Sequence, residues 1–138
     1  MSDRNVRIVE RSGKNAHDAY AKVASIAFGK NSLVELGATI NPSDDNDTIV
    51  FGIIKEEVAA TDSDYASTTE KEVDIIMPGD VIEIDTTAEL TVGTSYGISN
   101  AYTVDQADEG NDVFTCLKVI SSTRARGFMK CLAGESVQ

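Results

Sequence analysis

Gly93-Thr94-Ser95-Tyr96-Gly97 spells G-x-S-x-G, the pattern of the serine-hydrolase nucleophile elbow. In that motif the serine sits on a sharp strand-to-helix turn, and the amide after it helps to bind an oxyanion. Here the residues that follow, Ile98-Ser99-Asn100-Ala101-Tyr102-Thr103-Val104, mix β-branched residues with Asn-Ala punctuation and signal no helix. The one histidine, His17, lies upstream, whereas an elbow hydrolase has its base downstream. The stretch therefore reads as a strand and turn, with Gly93 and Gly97 serving a turn or bulge and Tyr96 packing. A small serine hydrolase acting through Ser95 stands as the alternative from a different functional class.

Other residue types raise other chemistry. Asp80, Glu83 and Asp85 suggest a general acid/base pair. Strand alternation instead puts Glu83 and Asp85 on one face and Ile82 and Ile84 on the other, the pattern of a half-solvated strand. Asp44-Asp45-Asn46-Asp47 has oxygen donors for calcium but lacks the EF-hand spacing and its closing glutamate, so it reads as a surface loop. Asn46-Asp47-Thr48 matches a glycosylation sequon, which means little without a secretion signal. Cys116 and Cys131 form no C-x-x-C pair, so no zinc site is expected. They read as half-buried thiols that could face each other across a hairpin. His17 reads as a surface or packing residue. There is no phosphate-binding glycine loop and no basic-aromatic surface for nucleic acid. With no Trp and 6% aromatic residues, an aromatic platform for sugars is also absent. The expectation is a protein without enzymatic activity, cofactor, metal, nucleic acid or membrane partner.

The elements that would position these residues are mostly strands. Residues 1–15 are polar and basic and read as an arm. Residues 16–28, AHDAYAKVASIAF, place Tyr20, Val23 and Ala27 at helical spacing before Gly29, which predicts a short helix. From there the pattern turns to period two and short apolar runs. Strands are expected at Ser32–Leu36, Thr48–Ile54, Val73–Met77, Val81–Asp85, Tyr96–Ile98, Ala101–Val104, Val113–Ile120 and Gly127–Leu132, with an acidic loop over Asp105–Asp112. Ser121–Arg126 reads as the turn of a final hairpin, in a register pairing Ile120 with Gly127 and Cys116 with Cys131. Short strands with regular turn signals imply a small all-β barrel or sandwich.

The 138 residues, 41% hydrophobic and 25% charged, suit one packed domain. No apolar run reaches the roughly 18 residues of a membrane span. The N-terminus has charges but no apolar stretch behind them, which argues against a secretory signal and for cytoplasmic synthesis. Net charge is −11 and unevenly spread. Residues 1–30 carry six basic and three acidic residues, residues 31–115 two basic and nineteen acidic, and residues 116–138 four basic and one acidic. Basic ends on an acidic body suggest that the ends touch an acidic partner or the acidic body of another copy. Arg124 and Arg126, two residues apart, would point the same way in extended structure and reach an acidic loop such as Asp105–Asp112 of a neighbour.

The segments VDIIMPGDVIEID, ELTVGTSYGISNAYTVD and KVISSTRARGFMKC resemble the head decoration (cement, capsid-stabilising) proteins of tailed bacteriophages. The resemblance covers residues 32–133 and lies in strand order and turn wording. It implies a β-tulip fold for a decoration domain over 31–138, preceded by an arm and possible short helix over 1–30. It further implies a homotrimer on the outer capsid surface of the virion, bound to the major capsid protein after synthesis in the host cytoplasm. Arg4, Arg7, Arg11 and Lys14 of the arm, with Arg124 and Arg126, are then expected at a capsid or subunit interface. Another phage structural β-module, such as a head-fibre or tail adaptor, is the nearer alternative.

Overall fold

The computed structural model describes residues 6–13 and 16–135. Their strands are β1 (Arg7–Glu10), β2 (His17–Ala21), β3 (Ser32–Leu36), β4 (Ile40–Pro42), β5 (Gly52–Ile54), β6 (Glu70–Ile75), β7 (Val81–Thr86), β8 (Ser95–Asn100), β9 (Thr103–Glu109), β10 (Phe114–Ser121) and β11 (Arg124–Met129). One short helix, α1 (Leu132–Glu135), follows. The chain is all-β, as its short punctuated runs imply.

The larger sheet runs β1-β7-β11-β10-β8-β9. It closes into a barrel because β9 also lies parallel to β7, through Asp85↔Thr103 and Thr86↔Val104. β1 occupies the earlier part of the same β7 edge, antiparallel, through Arg7↔Glu83 and Ile8↔Ile82. One edge of β7 is thus shared between the first strand and the strand that closes the barrel. The second sheet, β2-β6-β5-β3-β4, curls into a half-barrel whose edges touch at the parallel bridge Lys22↔Ile40.

The two sheets share a wall. Along β3 and β5 alternate residues serve different cores: Leu33 and Ile53 join the barrel core with Ile82, Ile84, Tyr96, Ile98, Phe114 and Ala125. Val34 and Ile54 join the half-barrel core with Phe28, Ile40, Phe51 and Val73. Burial on both faces explains why these strands read as continuous apolar runs. The run Thr48–Ile54 is split accordingly. Val50 bridges to Cys131 beyond β11, while Gly52–Ile54 pair within the half-barrel.

Three expectations are corrected. Residues 16–28 contain no helix: His17–Ala21 pair residue by residue with Asp74–Glu70 of β6. A neighbouring strand to complete the sheet outweighs the modest helix preference of an Ala-rich segment. Nor is the N-terminal segment an arm where it is described. Val6 is buried, its N–H donates to Asn31 O at 2.9 Å, and β1 belongs to the sheet. The last hairpin has a different register. Cys116 faces Gly127 and Val119 faces Ala125, because the turn is only Ser122-Thr123 and extra residues shift the pairing further between Cys116 and Lys118 and between Val119 and Ser121. Arg124 and Arg126 therefore lie in β11, with only Ser122 and Thr123 between the strands.

Deleting residues 1–13 removes a buried valine, a strand and the ion pairs described below. A loss of about 2 kcal/mol or more, or at least about 6 °C in melting temperature, is expected. Calorimetry of the truncated chain checks this, and a melt unchanged from the full chain would show that β1 adds nothing to the fold.

Candidate functional site

Three of the six cations expected at an interface from sequence, Arg7, Arg124 and Arg126, converge on one strand. Ile82 and Ile84 of β7 point into the barrel, so Glu83 and Asp85 point outward, where β1 and β11 flank them. Arg7 pairs across from Glu83 on one side and Arg126 on the other, and Arg124 lies opposite Asp85. Glu83 Oε1 accepts from Arg7 Nη2 at 3.2 Å and from Arg126 Nε at 2.9 Å. Its Oε2 accepts from Arg124 Nε at 2.9 Å, and Arg124 Nη1 donates to Asp85 Oδ1 at 2.7 Å.

Just before β7, Asp80 has a fully buried carboxylate. It accepts from Arg11 Nη1 at 2.9 Å, from the Ser12 N–H at 2.8 Å and from the Met77 N–H at 2.9 Å. Arg7, Arg11, Arg124 and Arg126 are therefore all engaged within the chain. Arg4 and Lys14 lie outside the described residues. Arg7 keeps 60% of its side chain exposed while Glu83 keeps 10%, so the Arg7 end of this cluster faces solvent.

The electrostatics of Glu83 follow from two opposed causes. Burial pushes its carboxyl up, and hydrogen bonds from Arg124, Arg126 and Arg7 together outweigh burial and hold it at about 2. Sequence reasoning missed this role. The signal was present as matched spacing, with carboxylates at 83 and 85 and arginines at 124 and 126, each pair two residues apart.

Ser95 is not assembled for nucleophilic attack. Its Oγ lies 2.8 Å from Thr115 Oγ1 in the cross-strand pair of β8 and β10. His17 sits in the other sheet with Nδ1 2.6 Å from Glu72 Oε2. Gly93 has φ of 87°, a turn conformation, and a Cβ at Gly97 would overlap the Asp108 carboxylate. Tyr96 is buried and its hydroxyl accepts from the Thr91 N–H at 2.9 Å. The elbow motif is a turn followed by a barrel strand.

Cys116 and Cys131 are both buried and form no disulfide: Cys116 lies opposite Gly127 in the hairpin, and Cys131 bridges to Val50 beyond it. Burial pushes the Cys116 thiol up, the reverse of an activated nucleophile. Among the described residues no group of three His, Cys, Asp or Glu could hold a metal, and no helix is long and apolar enough to cross a membrane. A buried lysine does a structural job that sequence gave little sign of. Lys22 Nζ donates to the carbonyls of Asp64, Tyr65 and Ser67 at 2.9, 3.1 and 2.6 Å and so pins the polar loop between β5 and β6.

The acidic loop after β4 is held by its own side chains: Asp44 Oδ1 accepts from the Asn46 N–H at 2.9 Å and Asp47 Oδ2 from the Asp44 N–H at 3.2 Å. Glu35 of β3 lies against it. A hydrogen bond with Asp47, partial burial and the charges of Asp47 and Asp44 push Glu35 up to about 7.

Two pH responses of opposite sign follow. The depressed Glu83 contributes stability that is present above about pH 4.5 and lost as pH falls toward about 2. Glu83→Gln is expected to cost about 3 kcal/mol at neutral pH and to flatten the acid limb of the stability profile, measured by urea unfolding. A variant as stable as wild type would show that the cluster is neutral. The raised Glu35 acts the other way: its contribution is present below about pH 4.5 and lost as pH rises through about 7. The protection factors of the amides in residues 43–47, which remove the intrinsic rise of exchange with pH, should therefore fall across that window in wild type and stay level in Glu35→Gln. Equal pH dependence in both proteins would remove the Glu35–Asp47 contact as its cause.

No protein-family model matches the chain, and a comparison with curated proteins finds no match either.

Proposed function

We propose that this chain is a non-enzymatic structural protein that decorates the outer surface of a tailed-phage head. In this reading it binds the major capsid protein, bridges neighbouring capsomers as a homotrimer, and is carried on the virion after synthesis in the host cytoplasm. The observation that carries the reading is where the decoration-protein-like stretches fall. VDIIMPGDVIEID spans the end of β6 and all of β7 but its last residue, ELTVGTSYGISNAYTVD leads through β8 into β9, and KVISSTRARGFMKC holds the second half of β10 and all of β11. The three stretches thus supply strands of the barrel together with the turns that lead into them.

The physical task suits such a module. Packaged DNA pushes a shell outward, and a protein that spans subunit joints opposes the separation of those joints. Each contact can be modest, because many copies act together and the tethered contacts reinforce one another. A rigid barrel transmits load between its contacts with little internal give, and ion pairs tying the first strand to β7 and β11 oppose its peeling. A surplus of negative charge limits nonspecific adhesion to nucleic acid.

The test uses heads of the phage whose genome encodes the chain, prepared without decoration. Purified chain is added, the heads are pelleted, and bound protein is quantified and imaged by negative stain. Saturable binding at regular surface positions, with greater resistance of the heads to heat, is expected. Heads that sediment free of the chain at every concentration would overturn the proposal.

A further inference from the structure

Among the described residues, four of the five exposed large apolar side chains, Val92, Leu117, Ile120 and Phe128, belong to the β10–β11 hairpin and the turn beside it. Val92 is brought there by the Gly93 N–H, which donates to Cys116 O at 2.8 Å. Leu117 and Ile120 are the extra residues of the two bulges in β10, where the pairing steps from Cys116↔Gly127 to Lys118↔Arg126 and from Val119↔Ala125 to Ser121↔Arg124. A bulge re-aims the side chain it inserts. Here both extra residues remain in solvent, while Cys116 and Ala125 fill the barrel.

β8 pairs with β10 only at Phe114 and Thr115, so the later part of β10 has an open edge. Two bulges and a lysine on that edge oppose ladder pairing with another strand. The apolar groups are therefore offered through the face of the hairpin. Lys118 is exposed on the same face beside Arg126.

We propose that this face is a self-association surface that docks on the acidic β9 wall of a second copy of the chain. Charge decides between the ways two copies could meet. Arg126 is already paired with Glu83, so Lys118 is the cation this face offers. Face against like face would set Lys118 against itself, and like charges brought together at an interface are costly. β9 and the loop after it offer the complement, with Asp105, Asp108 and Glu109 in five residues, Ala107 and Glu109 exposed, and Asp112 beyond them paired with Lys130 at 3.6 Å. Basic-apolar face and acidic wall are different patches of one barrel, so the contact is head-to-tail. Each added copy brings one unused patch of each kind, and the arrangement ends only when a ring closes. The inference rests on the self-association within the function proposed above and is independent of binding to the shell.

Native mass spectrometry and sedimentation of the full chain across a concentration series test it without capsids. Wild type is expected to form closed oligomers. Lys118→Glu and, separately, Phe128→Ser are each expected to weaken association by at least about tenfold with melting temperature little changed. Adding Glu109→Lys to Lys118→Glu is expected to restore it. Wild type that stays monomeric throughout would overturn the inference, even if the same protein binds heads, and the shell reading would then stand alone. Association unmoved by both single variants would show that the contact lies elsewhere. A symmetric dimer tightened by Lys118→Glu would replace the head-to-tail arrangement with like-face pairing.

Discussion

A carboxylate withdrawn from water is costly unless donors replace the water it loses, and Glu83 is in that position on the outer wall of the barrel. Its replacements come from two other strands: Arg7 on β1 and Arg124 and Arg126 on β11. Ile82 and Ile84 must face the barrel interior, which forces Glu83 outward between those strands. Slipping β7 by one residue would place Glu83 among the core side chains and expose both isoleucines. Apolar burial on one side and guanidinium pairing on the other thus select the same register. That agreement between faces fixes β7, and β7 in turn carries both the first strand and the barrel's closing strand.

Sequence patterning carried the fold class because strand alternation and turn residues are local. The half-solvated reading of Val81–Asp85 had the right face assignment for Ile82 and Ile84 and the wrong solvent for Glu83, because strand period says which way a side chain points and not what stands there. Residues 16–28 misled for a related reason. Alanine and lysine suit a helix in isolation, and the β6 partner that makes His17–Ala21 a strand begins at Glu70. Lys22 reads as an ordinary helix-surface charge until the loop at Asp64–Ser67 is brought over it. The final hairpin was expected from its sequence, yet its register was not, since nothing local announces the bulges at Leu117 and Ile120.

The same reasoning changes what the charge distribution means. Basic ends on an acidic body look like two docking devices. Four of the cations at those ends instead neutralise carboxylates of β7 and of the turn before it. The negative excess of the body is therefore partly cancelled on one wall and left unbalanced elsewhere, notably along β9. An acidic protein with one nearly neutral wall has a direction, and that direction is set by internal ion pairing.

The shared edge of β7 also orders events during synthesis. Arg7 precedes its partner Glu83 by 76 residues, and Arg124 and Arg126 come 41 and 43 residues after it. At about 5–20 residues per second, β1 is made roughly 4–15 s before β7 exists to receive it, and β11 follows several seconds later. During that second interval Glu83 has at most Arg7 beside it and remains hydrated. The strand that dries it is made after the other strands of the barrel, so the barrel cannot close progressively from its N-terminal side. Closure waits for the C-terminal hairpin, and a nascent chain stalled before Arg124 holds a sheet that is still open.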